Sequence, residues 1–251
     1  MDVEVFYKDH WTEYPLEIQG VLKHLHDLFP EGVKGKKVLD GGSGSGIVSI
    51  GFALLGADVT GVDITPMCVE NGQKNAENFG VRCRFLCRDL TYLDLGDERF
   101  DIVYSWGVIH HSKDACKSFS NLAKHLKPGA EMILAVYLKT CLSWFWNFSR
   151  VFYQKAPKWF QSMFRISGSR FLNCVDFVKK LIFEKSRYMM RGTNNEELIN
   201  DWFGVPHRTF HTYDEVFQWF QDNGLNYQLV NPATGRFKST SNFVVRGRKI
   251  K

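Results

Sequence analysis

The chain has 251 residues, 44% hydrophobic and 24% charged, with a formal net charge of +5. That is enough apolar sequence for one α/β domain with an elaboration. No run of about 20 uncharged apolar residues suits a membrane span and no leader-like pattern opens the chain, so a cytoplasmic protein is expected. The six cysteines, at 68, 83, 87, 116, 141 and 174, form no Cys-x-x-Cys pair and no Cys/His spacing suited to zinc. Reduced thiols and no metal are therefore expected.

In chain order, the first 35 residues carry Tyr7, His10, Trp11 and Tyr14, then an amphipathic stretch from Leu16 to Leu28 that predicts a helix. Val38-Leu39-Asp40-Gly41-Gly42-Ser43-Gly44-Ser45-Gly46 follows: an apolar strand ends in a carboxylate, and a glycine-rich loop leads into an apolar-periodic helix. Glycines at 42, 44 and 46 permit a tight turn and close approach to a ligand, and are expected to expose backbone N–H groups at the helix start. The loop is one residue shorter than the Gly-x-Gly-x-x-Gly dinucleotide fingerprint.

Val59-Thr60-Gly61-Val62-Asp63 is a second strand whose carboxylate lies 17 residues after Gly46, near the spacing at which an acid holds a ribose diol. Thr65-Pro66 starts the next helix as N-cap and first-turn proline. Arg82 to Asp89 alternates as a third strand, and Phe100 to His111 holds the fourth. Leu126-Lys127-Pro128-Gly129 reads as a turn into a fifth strand at Met132–Val136. Alternating helices and strands argue for a parallel sheet covered on both faces.

The run Asp40-x-Gly42-x-Gly44-x-Gly46 resembles motif I of class I S-adenosylmethionine-dependent methyltransferases. Phe100 to His111 resembles motif IV in the branch containing ubiquinone and menaquinone biosynthesis methyltransferases. The resemblance implies a doubly wound, seven-stranded, mostly parallel α/β sheet with a Rossmann-like topology and a helical insertion after the fifth strand. Its cofactor would be S-adenosylmethionine, with S-adenosylhomocysteine as product. The cofactor set becomes Asp40, Gly41, Gly42, Gly44, Gly46, Asp63, Ile64, Asp89, Leu90 and Trp106: Asp63 on the ribose, Ile64 on the adenine, and Asp89 accepting from the adenine amine. Asp89 also fits a solvated turn. Residues 1–35 would fold over the cofactor, 36–137 and 205–251 would form the core, and 138–204 a basic, aromatic lid.

Residues 138–191 hold eleven Lys or Arg against Asp176 and Glu184, a local charge of +9 that leaves −4 elsewhere. Trp144, Phe145, Trp146, Phe148, Phe152, Tyr153, Trp159, Phe160 and Phe164 crowd the first half, and Phe171 to Ile182 continues at amphipathic helical spacing. Three readings stay open: a cap burying its aromatics on the core, a membrane-surface element giving peripheral membrane contact, and an RNA platform. The acceptor is accordingly a small hydrophobic or anionic molecule, with an RNA (tRNA) substrate or a non-catalytic S-adenosylmethionine-binding module as alternatives.

Thr193-Asn194-Asn195-Glu196 and Thr212-Tyr213-Asp214-Glu215 are capping boxes, and Asn226–Val230 and Asn242–Arg246 read as closing strands. His207 and His211 become candidates for contacting substrate, with a plain structural role as the alternative. Methyl transfer needs alignment and a dry site more than acid catalysis. A hydroxyl or acidic-carbon acceptor also needs a base, and His111 is the best placed. His110 and His111, as adjacent strand residues, are expected to face opposite ways and so not to share a metal.

Overall fold

Val38 and Leu39 are both fully buried, because β1 (Lys37–Gly41) lies at the centre of a sheet covered on both faces. The computed structural model describes residues 18–183, 199, 202–231 and 242–250. On one side of β1 come β2 (Asp58–Asp63) and β3 (Cys83–Cys87). On the other come β4 (Phe100–Trp106), β5 (Leu126–Tyr137) and the hairpin strands β6 (Leu225–Asn231) and β7 (Asn242–Lys249). The order is β3-β2-β1-β4-β5-β7-β6, parallel from β3 through β5, with β7 antiparallel to both of its neighbours. Chain direction outward from the centre reverses between β1 and β4, where open α/β sheets place ligands at the carboxyl ends of their strands.

One face packs against α1 (Ile18–Leu28) and α2 (Ile47–Leu54), with Val21, Leu25, Phe52, Ile102 and Tyr104 in a shared core. The other face packs against α4 (Ala115–Lys124) and α7 (Tyr213–Asp222) through Phe119, Leu122, Trp219 and Phe220. The starts of these helices follow local chemistry. Pro66 takes the first turn of α3 (Pro66–Asn78), Asp114 caps α4 by accepting from the Lys117 amide at 2.9 Å, and Thr212 and Glu215 close a complete capping box.

Two expectations need correction. Leu126–Gly129 is the beginning of β5 rather than a turn; its pairing register with β4 shifts between Phe100 and Ile102, which accommodates Pro128 near the strand's start. The aromatic stripe of the insertion is not buried on the core. In α5 (Ser143–Lys155) and α6 (Lys158–Phe183), Trp144, Phe148, Phe152, Trp159 and Phe171 are 60 to 69% exposed. Only an inner set is enclosed: Tyr153 is buried, and Trp146 and Phe164 meet Phe203 at ring separations of 6.0 and 5.2 Å. Tyr7, His10, Trp11, Tyr14 and the capping box at Thr193 lie outside the described residues.

Candidate active site

A single cleft runs across the carboxyl ends of β3, β2, β1 and β4, and its lining includes Asp89, Asp63, Asp40 and Trp106, one from the end of each strand. The loop after β1 forms its floor. Gly42 and Gly44 both have left-handed φ values, +85° and +54°. A Cβ on Gly42 would come within 2.3 Å of the Val108 methyls, whereas one on Gly44 would meet nothing within 4 Å. Gly44 is thus an open cradle, and Gly42 a packing requirement.

The amides of Gly42, Ser43, Gly44 and Gly46 are not turned to the cleft as expected. Gly42 and Ser43 donate to the Val62 carbonyl at 2.7 and 3.0 Å, Gly44 donates to Asp63 Oδ2 at 2.9 Å, and Gly46 donates to the Ser43 carbonyl at 2.9 Å. A pyrophosphate cradle needs those donors pointing at the ligand, so this loop suits a nucleoside without phosphates. Asp63 is held from both sides, with Oδ1 accepting from the Thr65 amide at 2.9 Å. Burial pushes its carboxyl pKa up, opposed by these backbone hydrogen bonds. Each oxygen retains acceptor capacity for a hydroxyl.

At the β3 end, Asp89 Oδ1 accepts from the Thr91 amide at 2.8 Å and so caps a short 3₁₀ turn, Leu90–Tyr92, while Asp89 also lines the cleft beside Ile64, Cys68 and Leu90. Capping the turn thus leaves Asp89 in the cleft lining. Asp40 is buried and accepts from Ser49 Oγ at 2.7 Å. Gly41 and Gly46 do not line the cleft. A Cβ on Gly41 would crowd Leu122 at 2.9 Å, and one on Gly46 would crowd Phe85 at 2.8 Å, so both serve packing.

The β4 end carries residues that motif reading missed. Tyr104 lies two residues before Trp106, on the same strand face; the rings stack at 6.0 Å and 13°, and both line the cleft. Strand alternation was the available signal. His110 and His111 do not continue the strand. They form a 3₁₀ turn, Ile109–His111, with their rings 4.3 Å apart, so the expectation of opposite faces fails. Among the described residues no group of three or more His, Cys, Asp or Glu is arranged to hold a metal. His111 lines the cleft, and its Nδ1 lies 2.9 Å from the His207 carbonyl. A carbonyl only accepts, so Nδ1 carries the proton and Nε2 is the basic nitrogen.

His207 itself is exposed and contributes its backbone rather than its ring. His211 is buried away from the cleft: Nδ1 is 2.9 Å from Glu215 Oε1, Nε2 is 2.8 Å from Thr209 Oγ1, and the ring packs on Trp219. Both nitrogens serve the join between the end of β5 and α7, a correction to its expected substrate role. The segment is fixed by Thr209 donating to the His110 carbonyl and by His211 donating to the Tyr137 carbonyl, each at 2.9 Å. Arg150 on α5 donates to the Val205 and Pro206 carbonyls at 2.8 and 2.6 Å, tying the insertion to this rim.

The residues present fit S-adenosylmethionine. The cleft lining carries three carboxylates against one lysine, Lys113, together with an open glycine cradle and an aromatic wall. Such a lining favours a nucleoside bearing positive charge over one bearing phosphates.

A doubly wound sheet of this order, with a glycine loop and acidic strand ends, is the arrangement against which the known proteins are compared. Residues 38–129 match the model of the family described as a methyltransferase domain. The ubiquinone biosynthesis O-methyltransferase of Coxiella burnetii is 33% identical over 125 residues, covering 46% of this chain and 53% of that protein. The chain thus spans about half the length of the curated relatives it matches. Magnesium protoporphyrin IX methyltransferase from Synechocystis PCC 6803, solved with S-adenosylhomocysteine bound, superposes with a TM-score of 0.55 at 19% identity, covering 98% of this chain and 84% of that one. The YcgJ protein from Bacillus subtilis gives 0.60 at 17% identity, covering 93% and 99%. These two likenesses concern the fold. Residues 38–129 are thus similar to a methyltransferase domain, and the fold is similar to that of a solved methyltransferase.

Proposed function

We propose that the protein transfers a methyl group from S-adenosylmethionine to the hydroxyl of a small, hydrophobic or anionic acceptor, with 138–204 as a lid over the acceptor. The observation that carries this reading is the line of Asp89, Asp63, Asp40 and Trp106 along one cleft that ends at His111. The name O-methyltransferase borne by the ubiquinone-biosynthesis relatives directs the proposal to oxygen.

When bound, the cofactor supplies an electrophilic methyl on a positively charged sulfur. Asp63 holds the ribose diol, Asp89 and the apolar side chains of Ile64 and Leu90 hold the base, and Gly44 leaves room for close approach. His111 Nε2 takes the acceptor's hydroxyl proton as the new carbon–oxygen bond forms, its ring oriented by the bond from Nδ1 to the His207 carbonyl. The backbone of His207, not its imidazole, does this work, and His211 braces the same segment from behind. Apolar walls exclude water, which protects the alignment the displacement requires.

The lid also touches lipid in this reading. Exposed Trp144, Phe148, Phe152 and Trp159 share α5 and α6 with Arg150, Lys155, Lys158 and Arg165, the composition of an element lying in a membrane interface. No helix among the described residues is long and apolar enough to cross a membrane. The proposed location is the cytoplasm, peripheral to a membrane. The test is release of S-adenosylhomocysteine from S-adenosylmethionine on presenting a panel of catechols and phenols, with and without an alkyl tail, beside the matching anilines and thiophenols. Turnover with hydroxylated members alone supports the reading; turnover on amines or thiols alone contradicts the hydroxyl assignment.

A further inference from the structure

His24 lies on α1, outside every motif, yet it touches the cleft wall. Its Nε2 shares a 3.2 Å hydrogen bond with the Tyr104 hydroxyl, and its ring meets Trp106 edge-to-face with centroids 4.6 Å apart. Tyr104 is braced further by Phe52, edge-on at 5.6 Å. The result is a two-ring aromatic wall at the β4 end of the cleft, with an imidazole against both rings. The function proposed above places the base at Asp89 and the ribose at Asp63, on the β3–β2 side, so a ligand laid across the strand ends brings the other end of the nucleoside, its sulfur, towards β1 and β4.

We propose that Tyr104 and Trp106, positioned by His24, form the surface that recognises the positive charge on the cofactor's sulfur, and that His24 thereby sets how strongly the cofactor is preferred over its uncharged thioether product. The proposal rests on the function proposed above. An aromatic face attracts a cation electrostatically and has no such attraction for a thioether. A second cation pressed against the same rings would repel the sulfonium through a low-dielectric wall.

The imidazole is suited to this duty because it stays neutral. Burial lowers its pKa to about 4, against the opposing pull of Asp27 one turn further along α1. At neutral pH the rings are therefore held in place by a group that hydrogen-bonds and packs without adding charge. His24 is a positioning residue, acting through Tyr104 and Trp106. It also gives α1 a function beyond covering the sheet: the helix fixes the wall from behind.

The experiment is paired calorimetric titration of wild type, His24→Gln, His24→Lys and Trp106→Leu with S-adenosylmethionine and with S-adenosylhomocysteine, read as the ratio of the two Kd values. The glutamine variant, neutral and able to reach the Tyr104 hydroxyl, should keep the wild-type ratio. The lysine and leucine variants should each weaken the charged ligand relative to the neutral one by about tenfold. Equal weakening of both ligands in the two variants would overturn the proposal by reducing His24 and Trp106 to packing. If His24→Lys does not fold, Trp106→Leu alone decides it. Failure of the wild type to bind either ligand would instead overturn the function on which the proposal rests.

Discussion

The amide of Gly44 donates to Asp63 Oδ2 at 2.9 Å, joining the loop after β1 to the carboxylate at the end of β2 across 19 residues of sequence. This bond turns the loop's third amide away from the cleft and orients the carboxylate towards it.

Asp63→Ala removes the carboxylate that the proposed function sets against two ribose hydroxyls. Hydrogen bonds to a charged group contribute roughly 1.5–3 kcal/mol each, so affinity for the cofactor and its product should fall by about 100-fold or more, equally for both. Titration calorimetry checks this, and unchanged affinity would remove the ribose assignment.

Gly42→Ala should destabilise the fold rather than weaken a ligand contact. Its Cβ would lie 2.3 Å from Val108 at a φ of +85°, and overpacking plus backbone strain cost about 2–4 kcal/mol together. Adding Val108→Ala removes both methyls but leaves the Val108 Cβ 2.7 Å away, so it should recover only part of the steric cost and none of the backbone strain. Denaturant melts of the two single variants and the double variant measure the coupling, and strict additivity would show that the clash has been misplaced.

His111→Gln should lower kcat by roughly 10²–10⁴-fold with little change in cofactor Kd, as expected for loss of a general base. A kcat within a factor of three of wild type would show that the acceptor loses its proton elsewhere.

His24 makes stability pH-dependent. Its pKa is lowered from 6.5 in the unfolded chain to about 4 in the folded one by burial, so the unfolded state binds more protons in between. The stabilisation is fully present above pH 6.5, declines as pH falls from there, and is lost through about 4. At 1.36 kcal/mol per unit this amounts to about 3 kcal/mol. The stability of wild type relative to His24→Gln should therefore fall by about 3 kcal/mol between neutral pH and pH 4. Parallel pH profiles would contradict the depressed value.

The insertion should bind vesicles of anionic lipid and release them as salt rises, because lysine and arginine supply the long-range part and aromatics the short-range part. Replacing Trp144 and Phe148 by serine should abolish sedimentation with vesicles while leaving the fold intact, since both side chains are exposed. Retained vesicle binding by that variant, or preferential salt-sensitive binding to RNA, would favour the nucleic-acid reading.

The parts of this site written in one segment were legible in sequence. Asp40, Gly42, Gly44, Asp63 and Asp89 line one cleft because strand length and loop geometry leave them little freedom, whereas Gly41 and Gly46 turn to packing. What escaped depends on distant partners. The inward turn of the Gly42 and Ser43 amides is imposed by the Val62 carbonyl on the neighbouring strand, and His211 was drawn from the substrate side by Glu215 and Thr209. His24 belongs to no motif and gains meaning only where α1 meets β4. The exposure of Trp144 and Phe148 could not be read from periodicity, which marks an apolar face without saying what that face meets.

The most direct test of the central claim is titration of the purified, ligand-stripped protein with S-adenosylmethionine and, separately, with NADH. The inward-turned loop amides and the carboxylate-lined cleft predict binding of S-adenosylmethionine and none of the phosphate-bearing nucleotide. Binding of NADH alone, or of neither ligand, would contradict the assignment of this cleft as a methyltransferase cofactor site.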